Sequence, residues 1–314
     1  NIFYYPFFLI NKLIPIRSDI FALIFHFIFN LGTFYSFLFF LNVSKISLSN
    51  FHKILISFTY SSNIFTFYLF WYSFSYTPYS FNYIFLPLLF GIFWNILNSN
   101  NIRNEKNRIL LLLPIFAFIS SLSYSNIAFY FCTLIIFSYI FVLKIILEKK
   151  LILEKIYYFL SFFIIFTFFS CYSFIPGLIS GIGLFFNPET TTIFYDNLQW
   201  ITSTATAFPD PFFINDAIDI MGTAHPWTYF SILSLLLLFL AISYSAKFDI
   251  NQIIILTIII ILLFIMNKGI ALLDSNMIDE IFGKSILTVF RSSDKSSLYL
   301  QFFVILGFVL AVEK

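Results

Sequence analysis

The chain has 314 residues, of which 60% are hydrophobic and only 10% are charged, and its formal net charge is +2. Soluble domains carry roughly 25% charged residues, so these charges are too few to solvate a soluble enzyme of this size. The small net charge offers no basic surface for nucleic acid, and the high hydrophobicity excludes a disordered chain. The composition therefore predicts an integral membrane protein.

The chain opens at Asn1 without an initiator methionine or a signal-peptide pattern, and we expect it to be an internal piece of a longer protein. A spanning helix needs about 20 mostly apolar residues. By that criterion we predict an all-α fold, with one transmembrane domain over 1–314 and about nine spanning helices. The predicted spans are 19–41, 54–72, 81–98, 109–125, 127–147, 156–176, 227–246, 251–267 and 297–312.

The basic residues predict the orientation of these spans, because Lys and Arg accumulate in cytoplasmic loops. Alternate loops place 11 of the 17 Lys and Arg residues on one side. The first span therefore runs from outside to inside. The pair of spans within 109–147 is the critical point of this assignment, because merging them into one helix would break the alternation. The basic residues left on the outer side are Lys12, Arg17, Lys268, Lys284, Arg291 and Lys295.

Two long polar segments face outside in this topology, at 177–226 and 267–297. Long loops of this kind are more often functional than simple connectors. Pro176 and Gly177 are expected to end the preceding helix at the outer interface. We therefore predict an extracytoplasmic loop over 177–226.

Three residues of this loop are candidates for binding or chemistry. His225 could act as a general acid or base or bind a metal, although a single histidine is also common as a hydrogen-bonded loop residue. Trp200 could stack on a sugar ring or belong to the aromatic belt of the membrane interface. Asp210 precedes a proline in the same loop and supplies a carboxylate.

The last predicted span follows a short polar segment, 290–295, that contains Arg291, Asp294 and Lys295. If a helix begins here, Arg291 and Lys295 share one face, and Asp294 is near enough to pair with Arg291. The two cations could hold a phosphate at the outer membrane boundary. The alternative is an interfacial anchor, in which both side chains reach toward the lipid headgroups.

Ionisable residues inside the predicted spans are scarce, with Asp19 and His26 as the candidates. A proton pump or antiporter needs charged residues at mid-membrane depth, so this scarcity argues against ion translocation. The sequence contains no phosphate-binding loop, catalytic triad or metal-ligand spacing. We therefore expect no metal and no cofactor.

The order of several short motifs resembles that of polytopic membrane proteins with GT-C-type glycosyltransferase architecture, in particular YfhO-like and arabinofuranosyltransferase-like proteins. The matching segments are 4–6 before the first span, 83–88 with its Pro-Leu pair, and 172–176 before the long outer loop. The fourth is 290–295, which is similar to a Phe-Arg-x-Pro-x-Lys motif and follows 267–269. Ser293 stands where that motif more often has proline.

The resemblance implies that a polyprenyl-phosphate-linked sugar enters between the helices and that its sugar passes to an acceptor at the outer face of the plasma membrane. Arg291 and Lys295 would bind the lipid phosphate and stabilise charge on the leaving group. The 177–226 loop would help to form the acceptor groove. The family's catalytic carboxylates belong to a first outer loop that would precede Asn1, so no catalytic residue is assigned.

The partners expected from this interpretation are membrane lipids and a polyprenyl-phosphate sugar donor, without nucleic acid. The alternative class is a transporter, a channel or a membrane subunit of a respiratory complex. A Lys or Glu in the middle of a span would favour that alternative.

Overall fold

A computed structural model describes residues 18–44, 46–62, 77–98, 107, 110–125, 127–148, 152–185, 249–266 and 294–313. These residues are almost entirely helical, and no strand occurs among them. The helices are α1 (Ser18–Val43), α2 (Asn50–Ser61), α3 (Thr77–Asn98), α4 (Leu113–Ser120), α5 (Ile127–Glu148), α6 (Ile152–Phe185), α7 (Ile250–Met266) and α8 (Asp294–Val312), with a 3₁₀-helix at Ser121–Ser125.

Four of these helices contain segments long and apolar enough to cross a membrane. The segments are His26–Val43 in α1, Ser80–Asn98 in α3, Ala128–Glu148 in α5 and Leu153–Pro176 in α6. Shorter apolar helical segments occur at Leu113–Tyr124, Ile250–Leu262 and Leu298–Ala311. The prediction of an all-helical membrane protein is confirmed to this extent. The predicted span at 227–246 lies outside the described residues.

The helix predicted over 54–72 has different bounds. It begins at Asn50 because the Ser49 side chain caps it by accepting a hydrogen bond from the backbone N–H of His52. It ends at Ser61, where the run of serines offers the backbone competing hydrogen bonds. Its 12 residues extend only about 18 Å, less than the roughly 30 Å hydrocarbon core.

The span predicted over 109–125 is interrupted. α4 ends at Ser120 and is followed by the short 3₁₀-helix, because three serine hydroxyls in this stretch donate to carbonyls three residues earlier. The Ser120 Oγ donates to Ala117 O, and the Ser123 Oγ donates to Ser120 O. α4 and α5 therefore remain two helices rather than one, as the predicted alternation requires.

The prediction that Pro176 and Gly177 end a helix was wrong. α6 continues through Pro176 to Phe185, so the first residues of the predicted 177–226 loop are helical. A proline removes only one hydrogen bond from a helix, and membrane helices tolerate this where neighbouring groups compensate. The apolar residues that follow, including Leu178 and Ile179, continue the helical pattern.

Polar contacts define two ends of the helix bundle. α1, α3, α5 and α8 run from the Tyr299 end to the Lys144 end, whereas α6 and α7 run in the opposite direction. The Tyr299 end comprises Asn82, Thr133 and Tyr299, and the Lys144 end comprises Asn98, Lys144 and Asn251. The fold thus places neighbouring polar side chains from sequence-distant helices at each end.

Aromatic rings fill the space between these ends. Phe302 of α8 meets Phe37 and Phe40 of α1 and Phe90 of α3 edge-on, with ring centroids 5.0–6.0 Å apart. Such tilted contacts suit the quadrupoles of the rings. Phe90 also contacts Phe40, so one aromatic cluster joins α1, α3 and α8.

The outer surface of the bundle is apolar along α6. An exposed apolar stripe runs from Leu153 to Ile179 at helical spacing. Its residues include Leu153 (84% exposed), Leu160 (52%), Ile164 (68%), Phe168 (69%) and Ile179 (65%). A soluble protein rarely exposes so long an apolar face. The opposite face of α6 carries the buried Lys155 and Ser170. This distribution fits a helix that contacts lipid on one side and protein on the other.

Candidate functional site

The candidate phosphate-binding segment is only partly within the described structure. α8 begins at Asp294, so Asp294 and Lys295 belong to its first turn, as expected for a helix that starts within 290–295. The backbone N–H groups of such a turn are open to an anion. Arg291, Trp200, Asp210 and His225 lie outside the described residues, and their assignments remain predictions.

A buried uncharged network lies just inside the start of α8. The Tyr299 hydroxyl donates to the carbonyl oxygen of Phe129 at 2.9 Å and lies 2.9 Å from the Thr133 Oγ1. The Asn82 Nδ2 donates to the same hydroxyl at 3.1 Å. Tyr299 is 0% exposed. One hydroxyl thus joins α3, α5 and α8, about 7–8 Å along the helix axis from Asp294.

A second uncharged contact fixes α2 against α3. Tyr60 and Tyr83 stack with ring centroids 4.4 Å apart. Each hydroxyl donates to the backbone carbonyl of the other residue, at 2.8 and 3.0 Å. Because both donors are satisfied, this pair stabilises the packing of two helices and leaves no hydroxyl for a ligand.

Two buried glutamines differ in their hydrogen bonding. Gln252 on α7 uses both ends of its amide, since its Oε1 accepts from the backbone N–H of Asp249 and its Nε2 donates to Leu310 O at 2.9 Å. Gln301 on α8 is 6% exposed, but its Oε1 has no hydrogen-bond partner within the described part of the chain. An unsatisfied buried amide costs about 1–3 kcal/mol.

The Lys144 end holds a group of charged residues that sequence reasoning missed. The Lys144 Nζ lies 2.5 Å from Asn98 Oδ1, Asn251 Oδ1 and Glu148 Oε1, so each of its three protons has an acceptor. Glu148 also pairs with Lys155. The ammonium lies 5.9 Å from the centroid of the Trp94 ring.

The charges of this group balance. Asp249 interacts electrostatically with Lys144, so two lysines face two carboxylates. A buried charge is tolerated when it is both paired and hydrogen-bonded. The group therefore joins α3, α5, α6 and α7, and its described charges are two lysines and two carboxylates.

The sequence contained one signal for this group. Lys144 lies inside the predicted span 127–147, and Glu148 follows it by one helical turn, the spacing of an intrahelical ion pair. Lys144 is one of the 11 basic residues that the positive-inside argument assigns to the loops of one side, but it is 2% exposed and lies within α5. His26, which the sequence analysis names as an ionisable residue inside the first span, is half-buried on α1.

The chemistry available at the two ends differs. The Tyr299 end offers hydroxyl and amide groups without a described charge, together with the start of α8. The Lys144 end offers an ion-pair group in which Glu148 pairs with Lys144 and Lys155. No cluster of metal-ligating side chains occurs among the described residues. No protein family, curated protein or solved structure matches the chain.

Proposed function

We propose that this chain is part of a multi-pass plasma-membrane protein of GT-C type that handles a polyprenyl-phosphate-linked sugar at the outer face of the membrane. In this proposal about nine helices span the membrane, and the segment beyond α6 up to residue 226 is extracytoplasmic. Arg291 and Lys295 bind the lipid phosphate, with Asp294 beside them. Trp200, Asp210 and His225 belong to the acceptor side of the site.

The observation that carries this proposal is the start of α8 at Asp294. Lys295 is in the first helical turn, and Arg291 precedes that helix by three residues in the sequence; a helix N-terminus favours an anion. The two cations would repel each other without a counterion or solvent. A lipid phosphate supplies negative charge, and its oxygens accept hydrogen bonds from the guanidinium group of Arg291.

The direction of the helices supports the proposed orientation. Lys53, Lys144 and Lys155 all lie at the Lys144 end, where Lys53 contacts Asn42 at the end of α1. The same loops carry most of the remaining basic residues of the sequence. The positive-inside rule assigns this end to the cytoplasm, so the start of α8 faces outside.

The alternative class, a transporter, channel or respiratory-complex subunit, would gain support from a buried charge in the middle of a span. The buried lysines of the described helices lie near helix ends instead: Lys144 is one turn from the end of α5, and Lys155 is in the first turn of α6. Both are paired with Glu148. This arrangement favours a structural role at the membrane boundary over a path for ions.

The test is binding of undecaprenyl phosphate to the full-length protein in detergent. Arg291→Ala should weaken binding about 10- to 100-fold, because a charge-assisted hydrogen bond contributes roughly 1.5–3 kcal/mol. Lys53→Ala, which removes a cation at the opposite end, is the matched control and should bind normally. Both variants should keep the unfolding temperature of the wild type. Unchanged affinity in Arg291→Ala would contradict the phosphate site and would favour the alternative, in which Arg291 and Lys295 are interfacial anchors.

A further inference from the structure

One side of α1 is exposed along the first four turns of the helix. Ile20, Leu23 and Phe27 are 48%, 66% and 62% exposed, Asn30 is exposed as well, and Phe34 is half-buried. These five residues, which we call the α1 seam, follow one another at alternating steps of three and four. This is the spacing of the a and d positions of a coiled coil. α1 packs against α2 and α3, and these helices leave the seam uncovered.

Asn30 distinguishes the α1 seam from a lipid-facing surface. It lies within His26–Val43, a segment long and apolar enough to cross a membrane, and about 18–20 Å from either end of α1. Its backbone oxygen accepts a hydrogen bond from the Thr33 Oγ1 at 2.9 Å. Its side-chain amide takes part in no hydrogen bond with the described residues. An amide that faces hydrocarbon without a partner is costly in free energy.

The other exposed surfaces of the described spanning segments lack such a group. Among the exposed residues of the four segments long enough to cross a membrane, the one other side-chain amide is that of Asn42. Asn42 lies next to the last residue of α1, and its Oδ1 accepts a hydrogen bond from the Lys53 Nζ at 3.1 Å. The exposed residues of α5 are apolar, as are those of the α6 stripe. Lipid is therefore a suitable neighbour for α5 and α6, but not for the α1 seam.

The amide also indicates which partner fits. It carries donors and an acceptor in one group, so the amides of two copies can satisfy each other through a reciprocal pair of hydrogen bonds. Copies in one membrane share one orientation, so a two-fold axis along the membrane normal places α1 parallel to its equivalent, and each seam residue meets its own counterpart. A single asparagine in an apolar seam fixes the register of such a pair. Interhelical hydrogen bonds of this kind favour association within membranes.

We propose that the α1 seam is the interface of a homodimer, in which Asn30 of each copy hydrogen-bonds Asn30 of the other. The spacing of the seam gives the two helices a left-handed crossing of about 20°. The dimer does not depend on the proposed function, because no lipid phosphate or sugar takes part in it. Loss of lipid binding in Arg291→Ala therefore leaves the dimer intact, and loss of the dimer leaves the phosphate site untouched.

The first measurement is disulfide crosslinking of the full-length protein in membranes, after its two cysteines, Cys132 and Cys171, are replaced by alanine. Leu23→Cys should give a crosslinked dimer on oxidation, because the two-fold axis brings two equivalent positions together. Ile164→Cys is the matched control. Ile164 is 68% exposed against 66% for Leu23, but it lies on the α6 stripe and should remain monomeric. A monomer in Leu23→Cys, equal crosslinking of both variants, or an adduct with a different protein would overturn the dimer.

The second measurement is the dimer dissociation constant of the full-length protein in lipid vesicles, followed by energy transfer between labelled copies. Asn30→Leu keeps an apolar seam of similar volume but removes both hydrogen bonds, and it should raise the dissociation constant about tenfold or more. Tyr35→Phe removes an exposed hydroxyl from the same helix beside the seam and should leave the constant unchanged. An unchanged constant in Asn30→Leu, or an equal rise in both variants, would contradict the role of Asn30.

Discussion

Lys144 shows how a single side chain can carry a full charge inside an apolar bundle. Its ammonium has three oxygen acceptors from three helices, α3, α5 and α7. Removing one partner of a buried pair usually costs roughly 3–5 kcal/mol, because the remaining groups are left unpaired. The intact Lys144–Glu148 pair adds little net stability, but loss of one of its partners is strongly destabilising.

We predict that Lys144→Met destabilises the protein by about 3 kcal/mol, at the lower end of that range, because Glu148 keeps Lys155 as a partner. The two asparagine oxygens lose their donor. Lys53→Met removes a lysine with one contact at the surface and should change stability by less than about 0.5 kcal/mol. Reversible unfolding in mixed micelles measures both. Equal stabilities of the two variants would contradict the structural role of Lys144.

The burial of Lys144 could not be read from the sequence. Hydropathy averages a window and tolerates one lysine near its edge, so it does not distinguish a buried lysine such as Lys144 from one in a loop. The acceptors Asn98 and Asn251 come from helices far away along the chain. The first turn at 294–295, by contrast, was predictable, because a local pattern of polar residues before an apolar run marks a helix start.

At the scale of helices, close approach between α1 and α3 depends on glycine. A Cβ atom built on Gly91 would lie 3.2 Å from the Cα of Phe40, which is backbone and can move only with its helix. Small residues at such crossings are typical of membrane helices, where tight packing replaces the hydrophobic effect. Gly32 is more open, since its built Cβ would be 3.5 Å from the Ile84 side chain.

Gly91→Ala is therefore expected to lower the unfolding temperature. Overpacking costs about 1–3 kcal/mol, which exceeds the gain of roughly 1 kcal/mol in helix propensity from glycine to alanine. Gly32→Ala should be neutral or stabilising, because it gains the same propensity at an ordinary contact distance. Thermal unfolding of the two variants in the same detergent gives the comparison. A stabilised Gly91→Ala would mean that the helices separate easily.

Helix bounds were predicted best where an apolar run ends at charged residues. The span predicted at 127–147 corresponds to Ile127–Glu148. The predicted bounds were wrong where a helix end depended on side-chain hydrogen bonds or on a proline. The serines of 120–125 end α4 at Ser120. Pro176 does not end α6, because the apolar residues on both sides of it continue the helical pattern.

The orientation proposed for the whole molecule rests on the distribution of basic residues, and it can be tested in intact cells. Single cysteines at Ser203 and Ser275 should react with an impermeant thiol reagent from outside, because both positions fall in the proposed outer segments. A cysteine at Asn101 should react only after the membrane is permeabilised. Labelling of Asn101 with protection of the other two positions would invert the topology.

The contacts of Lys144 must form in a fixed order as the chain is synthesised. The Asn98 acceptor precedes it in the chain, and Glu148 and Lys155 follow at once, so the α5–α6 hairpin can carry its charges into the membrane already paired. Asn251 emerges 107 residues later, which at about 5–20 residues per second is a delay of roughly 5–20 s. During that interval one proton of the ammonium lacks its final acceptor. When α7 is inserted, Asn251 supplies the third acceptor of the Lys144 ammonium. This hydrogen bond favours the packing of α7 beside α5.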